Sequence, residues 1–444
     1  MVQHLTRRSF LAAGTGALAA GRLWAAPLEA AELGLEGDSG ADQSATLQNA
    51  LDTAHAGSRD LLLPAGNFTI SDIVLPPGTG LFGTAGRTVL QLGDGDAILT
   101  ARDAPGIALN GLHLRGKAGE RRGVWTGLLS LQGCTDIMID NCRFSASAAN
   151  GVFLDGCAGR ITRCTLHDIL GAAIASHDGA GLHISANSIS DGGNLGIYVA
   201  RSEPGHDGAI ITGNRISRID WKDGGNGQNG NGINIFRAGD VVVSGNVISD
   251  CTFSAVRLNT TRNCLISNNI CTRSSEVAIF SEFGFSGSII SDNIIDGAAQ
   301  GISITNFDDG GRLAICSGNI VRNIRPESPT NPDTTPVGIA AEADTILTGN
   351  LVENVPGVGL ALGWGPYLRD VNATGNLLRD CAIGIGVSVA DEAGAASVTN
   401  NVIHRPPDAA AIAAMLWDEI AEADLPANAT RYPQVMLAGN QIIG

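Results

Sequence analysis

Apolar and polar residues alternate over very short stretches along most of this chain. A phrase of a small residue, asparagine, any residue and an aliphatic residue recurs every 23 to 39 residues, at Asn187, Asn214, Asn246, Asn269, Asn293, Asn319, Asn350, Asn376, Asn401 and Asn440. A second phrase, glycine or alanine followed by aliphatic residues at alternate positions, recurs at Gly151, Gly196, Gly232, Ala255, Gly301, Gly359 and Gly384. Each repeat therefore predicts two or three strands of about four residues.

Strands this short cannot bury an apolar face alone, but they form a continuous core when repeats stack at about 4.8 Å per coil. Asparagine suits such stacking, because it tolerates the left-handed backbone of a tight turn and its amide can hydrogen-bond to the next coil. Upstream, Asn141 and Arg163 continue the asparagine position. The pattern predicts an all-β, single-stranded parallel β-helix of about twelve coils.

Two segments carry a helical pattern instead. Residues 42–56 predict a helix whose apolar stripe consists of Ala45, Leu47, Ala50, Leu51 and Ala54. Such a helix would cover the open first coil of a β-helix, which otherwise exposes an unpaired edge. Residues 408–423 predict a second helix, either inserted before the last coil or capping it.

The N-terminus has the features of a targeting segment. Thr6-Arg7-Arg8-Ser9-Phe10-Leu11 is typical of twin-arginine export, and a mildly apolar stretch follows it. We therefore expect residues 1–31 to be a signal peptide and residues 32–444 to form the β-helix domain. No later apolar run approaches the roughly 20 residues of a membrane span. The sequence predicts a soluble periplasmic or secreted protein whose first partner is the twin-arginine export machinery.

The stretches "GADQSATLQNAL" and "LLLPAGNF", followed by the repeated coils, resemble the pectate-lyase-like superfamily of right-handed parallel β-helices. With Arg7 and Arg8 in front, the chain is similar to twin-arginine-translocated repeat proteins of uncharacterised function. The resemblance implies a right-handed coil and frequent action on acidic or complex polysaccharides. It transfers no catalytic set, because Asp308-Asp309 alone matches the polygalacturonase-type motifs and the D-P-H motif of alginate epimerases is missing.

Charge and cysteine usage narrow the function further. The net charge of −16 and the lack of a basic cluster argue against nucleic acid as a partner. The nine cysteines favour buried packing over disulfides, because several of them fall at equivalent repeat positions. A zinc site is not expected, because the cysteines do not occur in the C-x-x-C spacing that is typical of such sites. The sequence predicts no cofactor. A Ca2+ ion that bridges the protein and an acidic substrate stays open, and the residues that would bind it are unknown.

Insertions cluster on both sides of the second-phrase strand and predict a groove over it. They lie before the strand at 219–231, 325–336 and 405–433, and after it at 201–207, 282–286 and 306–312. The outward position of the strand is expected to hold Tyr198, Asn234, Arg257 and Ser303 in successive coils. This mixture of amides, cations and carboxylates suits sugar hydroxyls and carboxylates.

Three residues are candidates for catalysis. Glu282 and Asp308 lie at one edge on adjacent coils, compatible with the roughly 5–9.5 Å of a glycosidase acid pair. Glu276 and Glu282 lie about 20 Å apart along their strand, which is too far. Arg257, one coil earlier, suits a lyase that stabilises charge beside a uronate carboxylate. The candidates for substrate binding are Trp221, Tyr198, Asn234, Asn259, Asn306 and Arg312.

The stretch "DGGNGQNGNGIN" contains a G-x-G-x-x-G at Gly225, Gly227 and Gly230. A dinucleotide site requires a helix directly after this motif, whereas here a β-helix strand follows it. We therefore interpret the stretch as a wall of the groove. Two functions remain open: a polysaccharide lyase or glycosidase, and a non-catalytic glycan-binding or envelope-structural protein.

Overall fold

The computed structural model describes residues 26–117, 119, 123 and 125–444, and most of the predicted signal peptide lies outside them. The chain is a right-handed parallel β-helix, as predicted, with about fourteen coils rather than twelve. Each coil contributes in turn to three parallel sheets, which we number 1 to 3 in the order in which a coil passes through them. The difference in coil number arises because the first coils lack the asparagine phrase.

Sheet 1 precedes the asparagine turn and consists of Leu28–Glu29, Leu61–Leu62, Gly80–Phe82, Ala108–Asn110, Ile137–Asp140, Gly159–Thr162, His183–Ser185, Ile210–Thr212, Val242–Ser244, Arg262–Ser267, Ser286–Ser291, Arg312–Ser317, Thr345–Thr348, Val371–Thr374, Ala396–Thr399 and Val435–Ala438. Sheet 2 follows that turn and consists of Gly66–Ile70, Thr88–Leu92, Leu112–Arg115, Arg143–Ser147, Thr165–Ile169, Ser188–Gly192, Arg215–Ile219, Val247–Cys251, Ile270–Thr272, Ile294–Asp296, Ile320–Arg322, the first parts of Leu351–Leu362 and Leu377–Ser388, Val402–His404 and Gln441–Ile443.

Sheet 3 contains the second phrase and consists of Ile73–Val74, Leu99–Arg102, Gly127–Gln132, Asn150–Asp155, Ala172–His177, Leu195–His206, Asn231–Gly239, Val256–Asn259, Val277–Glu282, Gln300–Ile304, Val337–Ala341, the last parts of Leu351–Leu362 and Leu377–Ser388, and Ala410–Leu416. Alternate residues of each strand point inward and form one apolar core along the axis. The described part of the chain has three short 3₁₀ helices outside the sheets, at Ala30–Leu33, Phe307–Asp309 and Pro426–Arg431.

The ten repeated asparagines form a ladder along the turn between sheets 1 and 2. Each amide nitrogen from Asn187 to Asn401 donates to the Oδ1 atom of the next asparagine at 2.9–3.0 Å. The same Oδ1 atom accepts the backbone N–H of the preceding asparagine, as at Asn269 and Asn293. The ladder thus satisfies buried polar groups in the short turn between sheets 1 and 2, as we predicted from the stacking of amides.

Two details of that prediction are wrong. The left-handed residue is the one before the ladder asparagine, such as Gly213 (φ 65°) or Asp292 (φ 58°), and not the asparagine itself. In the coils above Asn187, the ladder position holds Cys142 and Cys164, and the predicted Asn141 and Arg163 occupy the left-handed position. Register decides this, because the residues after Cys142 and Cys164 pair with the residue after Asn187.

The N-terminal helix extends over Ser44–Ala56 and packs on the first coil, which confirms the cap predicted over 42–56. Leu47, Ala50, Leu51 and Ala54 are buried, whereas the side of the helix that carries Ala45 faces solvent. The β-helix domain begins before residue 32, the predicted boundary between the signal peptide and this domain. Strand Leu28–Glu29 already pairs with Leu61–Leu62, and Ala30, at the start of the first 3₁₀ helix, is fully buried.

The helix predicted over 408–423 is wrong. Ala410–Leu416 is a sheet 3 strand in parallel register with Leu377–Ser388, and it turns at Trp417 into an antiparallel strand, Glu419–Glu422. The alanine-rich sequence favours a helix locally. The exposed edge of the coil above offers backbone hydrogen bonds and a surface that small residues fill, and this tertiary pairing overrides the local preference.

All nine cysteines are free and buried, which agrees with their predicted packing role. Among the described residues, no helix has both the length and the apolar character that crossing a bilayer requires.

Replacing Asn293 with alanine should destabilise the fold more than the same replacement at the partly exposed end of the ladder. The change removes the acceptor of both the backbone and side-chain N–H groups of Asn269 and the donor to the Ile266 carbonyl, all buried. Unsatisfied buried groups cost about 1–3 kcal/mol each, so we expect a loss of about 3 kcal/mol or more in denaturant unfolding. Asn440→Ala, at the partly exposed end of the ladder, is the matched control. Equal losses in the two variants would contradict the ladder's role.

Candidate functional site

The outward column of sheet 3 has the register predicted from the second phrase as far as Arg257, but Arg257 and Ser303 are not on successive coils as predicted. Tyr198, Asn234 and Arg257 are successive neighbours in it, Phe280 follows, and Ser303 comes next. The upper part of this column is covered. The Asn234 amide donates to the Gln228 carbonyl at 3.1 Å, and Gly227 packs directly against the Arg257 guanidinium. The glycine-rich segment therefore lies over the strip, as predicted, and closes it.

Beneath that cover lies a buried ionic cluster. The Arg257 guanidinium donates through Nε and Nη2 to the two oxygens of Glu282, at 2.7 and 2.6 Å, and through Nη1 to Glu276 at 2.9 Å. Asn259 donates to Glu282 at 2.9 Å, and Asn331 donates to the other oxygen of Glu276 at 3.1 Å. The three charged residues are each at most 7% exposed. Both carboxylate oxygens of Glu276 and of Glu282 therefore accept hydrogen bonds from side chains of the protein itself.

The estimate that separated Glu276 from Glu282 by about 20 Å does not describe their carboxylates. It counted strand residues only. Glu276 lies just before strand Val277–Glu282, and the long Arg257 side chain contacts both carboxylates. Burial raises the pKa of Glu276, while the nearby Arg257 charge opposes that rise.

Below this cluster the outer face of sheet 3 opens into a cleft of about 510 Å³. Its floor continues the outward column as Ser303, Ala340, Ala361 and Gly386, and these small side chains create the hollow. One wall is the segment 331–337. Two of its anchors reach back to earlier coils, as the Ser328 hydroxyl donates to the Ser275 carbonyl at 2.7 Å and the Thr330 hydroxyl to the Thr252 carbonyl at 3.1 Å.

Aromatic residues form the lower end of the cleft. Trp364 and Trp417 meet edge to face with their ring centroids 4.5 Å apart, and each ring is 45% exposed. Tyr367 stacks at 6.4 Å from Trp364, whose indole N–H donates to Asp418 at 3.3 Å. The sequence prediction missed this group, because Trp417 fell within the expected helix.

Besides Glu276, which is bonded to Arg257, a second buried carboxyl group lines the cleft at the end of the strand opposite the 331–337 wall. Glu342 ends strand Val337–Ala341 and occupies the register position of Glu282 two coils below it. The residue is 7% exposed, and its Oε2 atom accepts the backbone N–H of Phe307 at 2.7 Å. Burial raises the pKa of Glu342 to about 7, and the nearby charge of Asp308 adds to the rise. Glu342 is therefore substantially protonated at neutral pH.

Sequence reasoning missed Glu342, although a signal was present. The "GIAAE" coil at Gly338 matches the second phrase except that alanine replaces the second branched residue. Aligning it with "AIFSE" would have placed Glu342 at the strand end held by Glu282. Asp308 lies near enough to Glu342 for its charge to raise the pKa of that group, whereas Glu282, its predicted partner, is bonded to Arg257 and Asn259.

The remaining predicted residues lie around the site without lining the cleft. Asp308 is exposed in the short helix Phe307–Asp309, and Asn306 caps that helix in a left-handed conformation. Arg312 forms an ion pair with Asp344 at 2.9 Å. Trp221 packs against Phe253 with a centroid distance of 5.2 Å. The other three predicted binding residues, Tyr198, Asn234 and Asn259, lie on coils above the cleft.

The described residues offer one group that could hold a metal ion, at the ends of two strands in the upper part of sheet 3. It consists of Asp155, His177 and Asp178, whose ligand atoms lie within 4.8 Å of one another. His177 Nδ1 is 3.0 Å from Asp155, and Ser202 bonds both His177 Nε2 and Asp178. A mixed imidazole and carboxylate set suits a transition metal better than the Ca2+ left open by the sequence.

Comparison with known proteins places this site on a familiar scaffold. The family model for a right-handed beta helix region matches residues 126–219 and 201–310. The N-terminal fragment of gene product 12 of bacteriophage Phi29 has a similar structure, with a TM-score of 0.58 and 14% identity over 94% of this chain and 71% of that chain. A search of curated proteins finds no match.

An enzyme shares the architecture as well. The catalytic unit of a thermostable alpha-1,3-glucanase from Streptomyces thermodiastaticus strain HF3-3 has a TM-score of 0.50 and 12% identity, over 94% of this chain and 70% of that chain. At these identities the likeness shows the fold alone. Fold and family match together define a protein of the right-handed parallel β-helix class. The similarity to twin-arginine-translocated repeat proteins stays a prediction.

The raised pKa of Glu342 predicts a pH-dependent stability. The folded chain binds more protons than the unfolded chain between the ordinary glutamate pKa of 4.5 and the folded pKa of about 7. The free energy of unfolding should therefore fall as the pH rises through this window, by about 3 kcal/mol for this group. Glu342→Gln should remove that component of the slope in unfolding experiments from pH 4 to 8. An unchanged slope would contradict the buried acid.

The Arg257 cluster predicts a strong asymmetry between buried and exposed ion pairs. Arg257→Met leaves Glu276 and Glu282 buried without a cation and should cost about 3–5 kcal/mol in unfolding free energy. Arg273→Met removes an exposed pair with Asp250 and should cost less than about 1 kcal/mol. The triple variant Arg257→Met/Glu276→Gln/Glu282→Gln should recover much of the loss. Similar losses in the two single variants would show that the cluster is not structural.

Proposed function

We propose that this protein binds a polysaccharide in the sheet 3 cleft and hydrolyses it, with Glu342 as the acid. The observation that carries the proposal is a buried carboxyl group with a pKa of about 7 on the wall of an open cleft. Carboxyl groups held protonated by burial are what glycoside hydrolysis requires to protonate the leaving oxygen.

The charges of the cleft favour a neutral glycan over a uronate. Its lining includes the carboxylates Glu276, Asp333, Glu342 and Asp418 and contains no lysine or arginine among the described residues. A lyase must stabilise the charge of a uronate carboxylate, and the candidate for that role, Arg257, is buried and bonded to two glutamates. Hydrolysis of a neutral chain therefore fits the site better than the lyase alternative.

The residues around Glu342 have distinct roles in this proposal. Glu342 donates a proton to the glycosidic oxygen, and Asp308, which lies near Glu342 but outside the cleft lining, is the carboxylate that activates water or stabilises the positive sugar ring. The exposed faces of Trp364 and Trp417 stack on sugar rings at the lower end of the cleft. The small floor residues Ala340, Ala361 and Gly386 allow the chain to lie close to the sheet.

Under the same proposal, the protein acts outside the cytoplasm. An exported protein, leaving through the twin-arginine machinery, would meet envelope or extracellular polysaccharides. The solved glucanase supports the idea that this architecture accommodates glycan hydrolysis. The second candidate function, a non-catalytic glycan-binding protein, is favoured by the extensive burial of Glu342, which limits its access to substrate.

The direct test is an activity screen of the purified chain against neutral and uronate-containing polysaccharides, following reducing ends and unsaturated products. We expect reducing ends from a neutral glycan and a rate that falls as the pH rises through about 7, because the acid must be protonated. Glu342→Gln should lower kcat by at least about 100-fold. Trp364→Ala should mainly raise KM.

Glu353→Gln is the matched control, because Glu353 lies on sheet 2, away from the cleft. Unsaturated products from a uronate polymer would contradict hydrolysis. Glycan binding without turnover, with an affinity that Trp364→Ala weakens and Glu342→Gln leaves unchanged, would establish the non-catalytic alternative.

A further inference from the structure

The turn that carries the asparagine ladder is flanked by two exposed aliphatic columns. On sheet 1 the column consists of Ile210, Val242, Leu265, Ile289, Ile315 and Ile346, and on sheet 2 it consists of Val247, Ile270, Ile294, Ile320, Leu351, Leu377 and Val402. A serine and threonine column lies between them, from Thr212 to Thr348. We call these two aliphatic columns and the hydroxyl column between them the aliphatic face.

The aliphatic face is not required by the coil geometry. In the coils above, the same outward position of sheet 1 holds Arg160 and His183, and below it holds Asn372 and Ser397. On sheet 2 the position above the column holds Arg215. Polar residues therefore fit this position, and the aliphatic run is confined to one block of consecutive coils.

The extent of the face matches that of a protein interface. Seven of its isoleucines are 36–44% exposed, which amounts to roughly 500 Å² before the partly exposed valines and leucines are added. Its coils rise about 4.8 Å each, so the face runs for about 30 Å or more. A standard interface buries about 800 Å² per partner, which the two columns and the hydroxyl column between them approach.

The chemistry of the face selects its occupant. Within these columns and the turn between them, the one exposed charged side chain is Asp292, while the whole chain has a net charge of −16, so contact through this face brings few acidic groups of two copies together. The face has no aromatic residue to stack on a sugar. The strand register in these columns is uninterrupted, so the aliphatic side chains repeat at a constant coil spacing. A second copy has the same spacing, and its face can therefore match the first across a two-fold axis.

We propose that the protein forms a homodimer in which the aliphatic faces of two copies pack against each other. The face covers sheets 1 and 2 on either side of the ladder turn, whereas the cleft lies on sheet 3. Each copy in the dimer therefore keeps its cleft open to solvent. The interface is independent of the proposed activity.

Sedimentation velocity of the full chain over a wide concentration range tests this inference. We expect a dimer for the natural sequence. Ile289→Glu/Ile315→Glu places carboxylates at the centre of the face and should raise the dissociation constant by at least about 100-fold. His183→Glu and Ser397→Glu, in the same column outside the aliphatic run, are the matched controls and should stay dimeric.

Circular dichroism and unfolding midpoints establish that each variant is folded, and Ile289→Thr/Ile315→Thr serves if the glutamates prevent folding. Threonine keeps the β-branched shape and should still weaken the dimer by at least about tenfold. A natural chain that is monomeric at every concentration would overturn the proposal. Folded glutamate or threonine variants that dimerise as tightly as the natural chain would overturn it as well.

Discussion

The asparagine ladder is the constraint on which the rest of the structure depends. A coil must turn between sheets 1 and 2 within about two residues, as at Gly213 and Asn214, and its asparagine is buried there. One buried amide per coil satisfies the coil above and the coil below with the same atoms, as Asn269, Asn293 and Asn319 do. The ladder fixes the register of successive coils, and the register decides which side chains form columns on the outer faces.

The candidate site lies where the outward column of sheet 3 changes from bulky to small side chains. On sheet 3 the column changes from Arg257 and Phe280 to Ser303, Ala340 and Ala361, and the hollow that results is the cleft. Long loops decide which part of the column stays accessible. The glycine-rich segment covers the upper part, and the 331–337 segment borders the lower part. Burial raises the pKa of Glu342, and the hydrogen bond from the Phe307 backbone opposes that rise.

The fold was predictable from the sequence, because ten asparagines and the second phrase report register directly. The same logic placed Arg257 and Glu282 together. It failed where local pattern and tertiary pairing disagree: Ala411 to Ala414 have helical propensity, yet the sheet edge above them selects a strand. It also failed at Glu342, which is buried and contacts a loop 35 residues earlier in the chain. Sequence pattern shows the position of a carboxylate, but only packing sets its pKa.

The central claim is that the cleft contains a protonated carboxyl group near neutral pH. An NMR titration of the chain labelled with ¹³C at the glutamate carboxyl carbon tests it most directly. The account predicts one resonance that titrates with a pKa of about 7 and is missing from Glu342→Gln. A spectrum in which every glutamate resonance titrates near the ordinary value of 4.5 would contradict it.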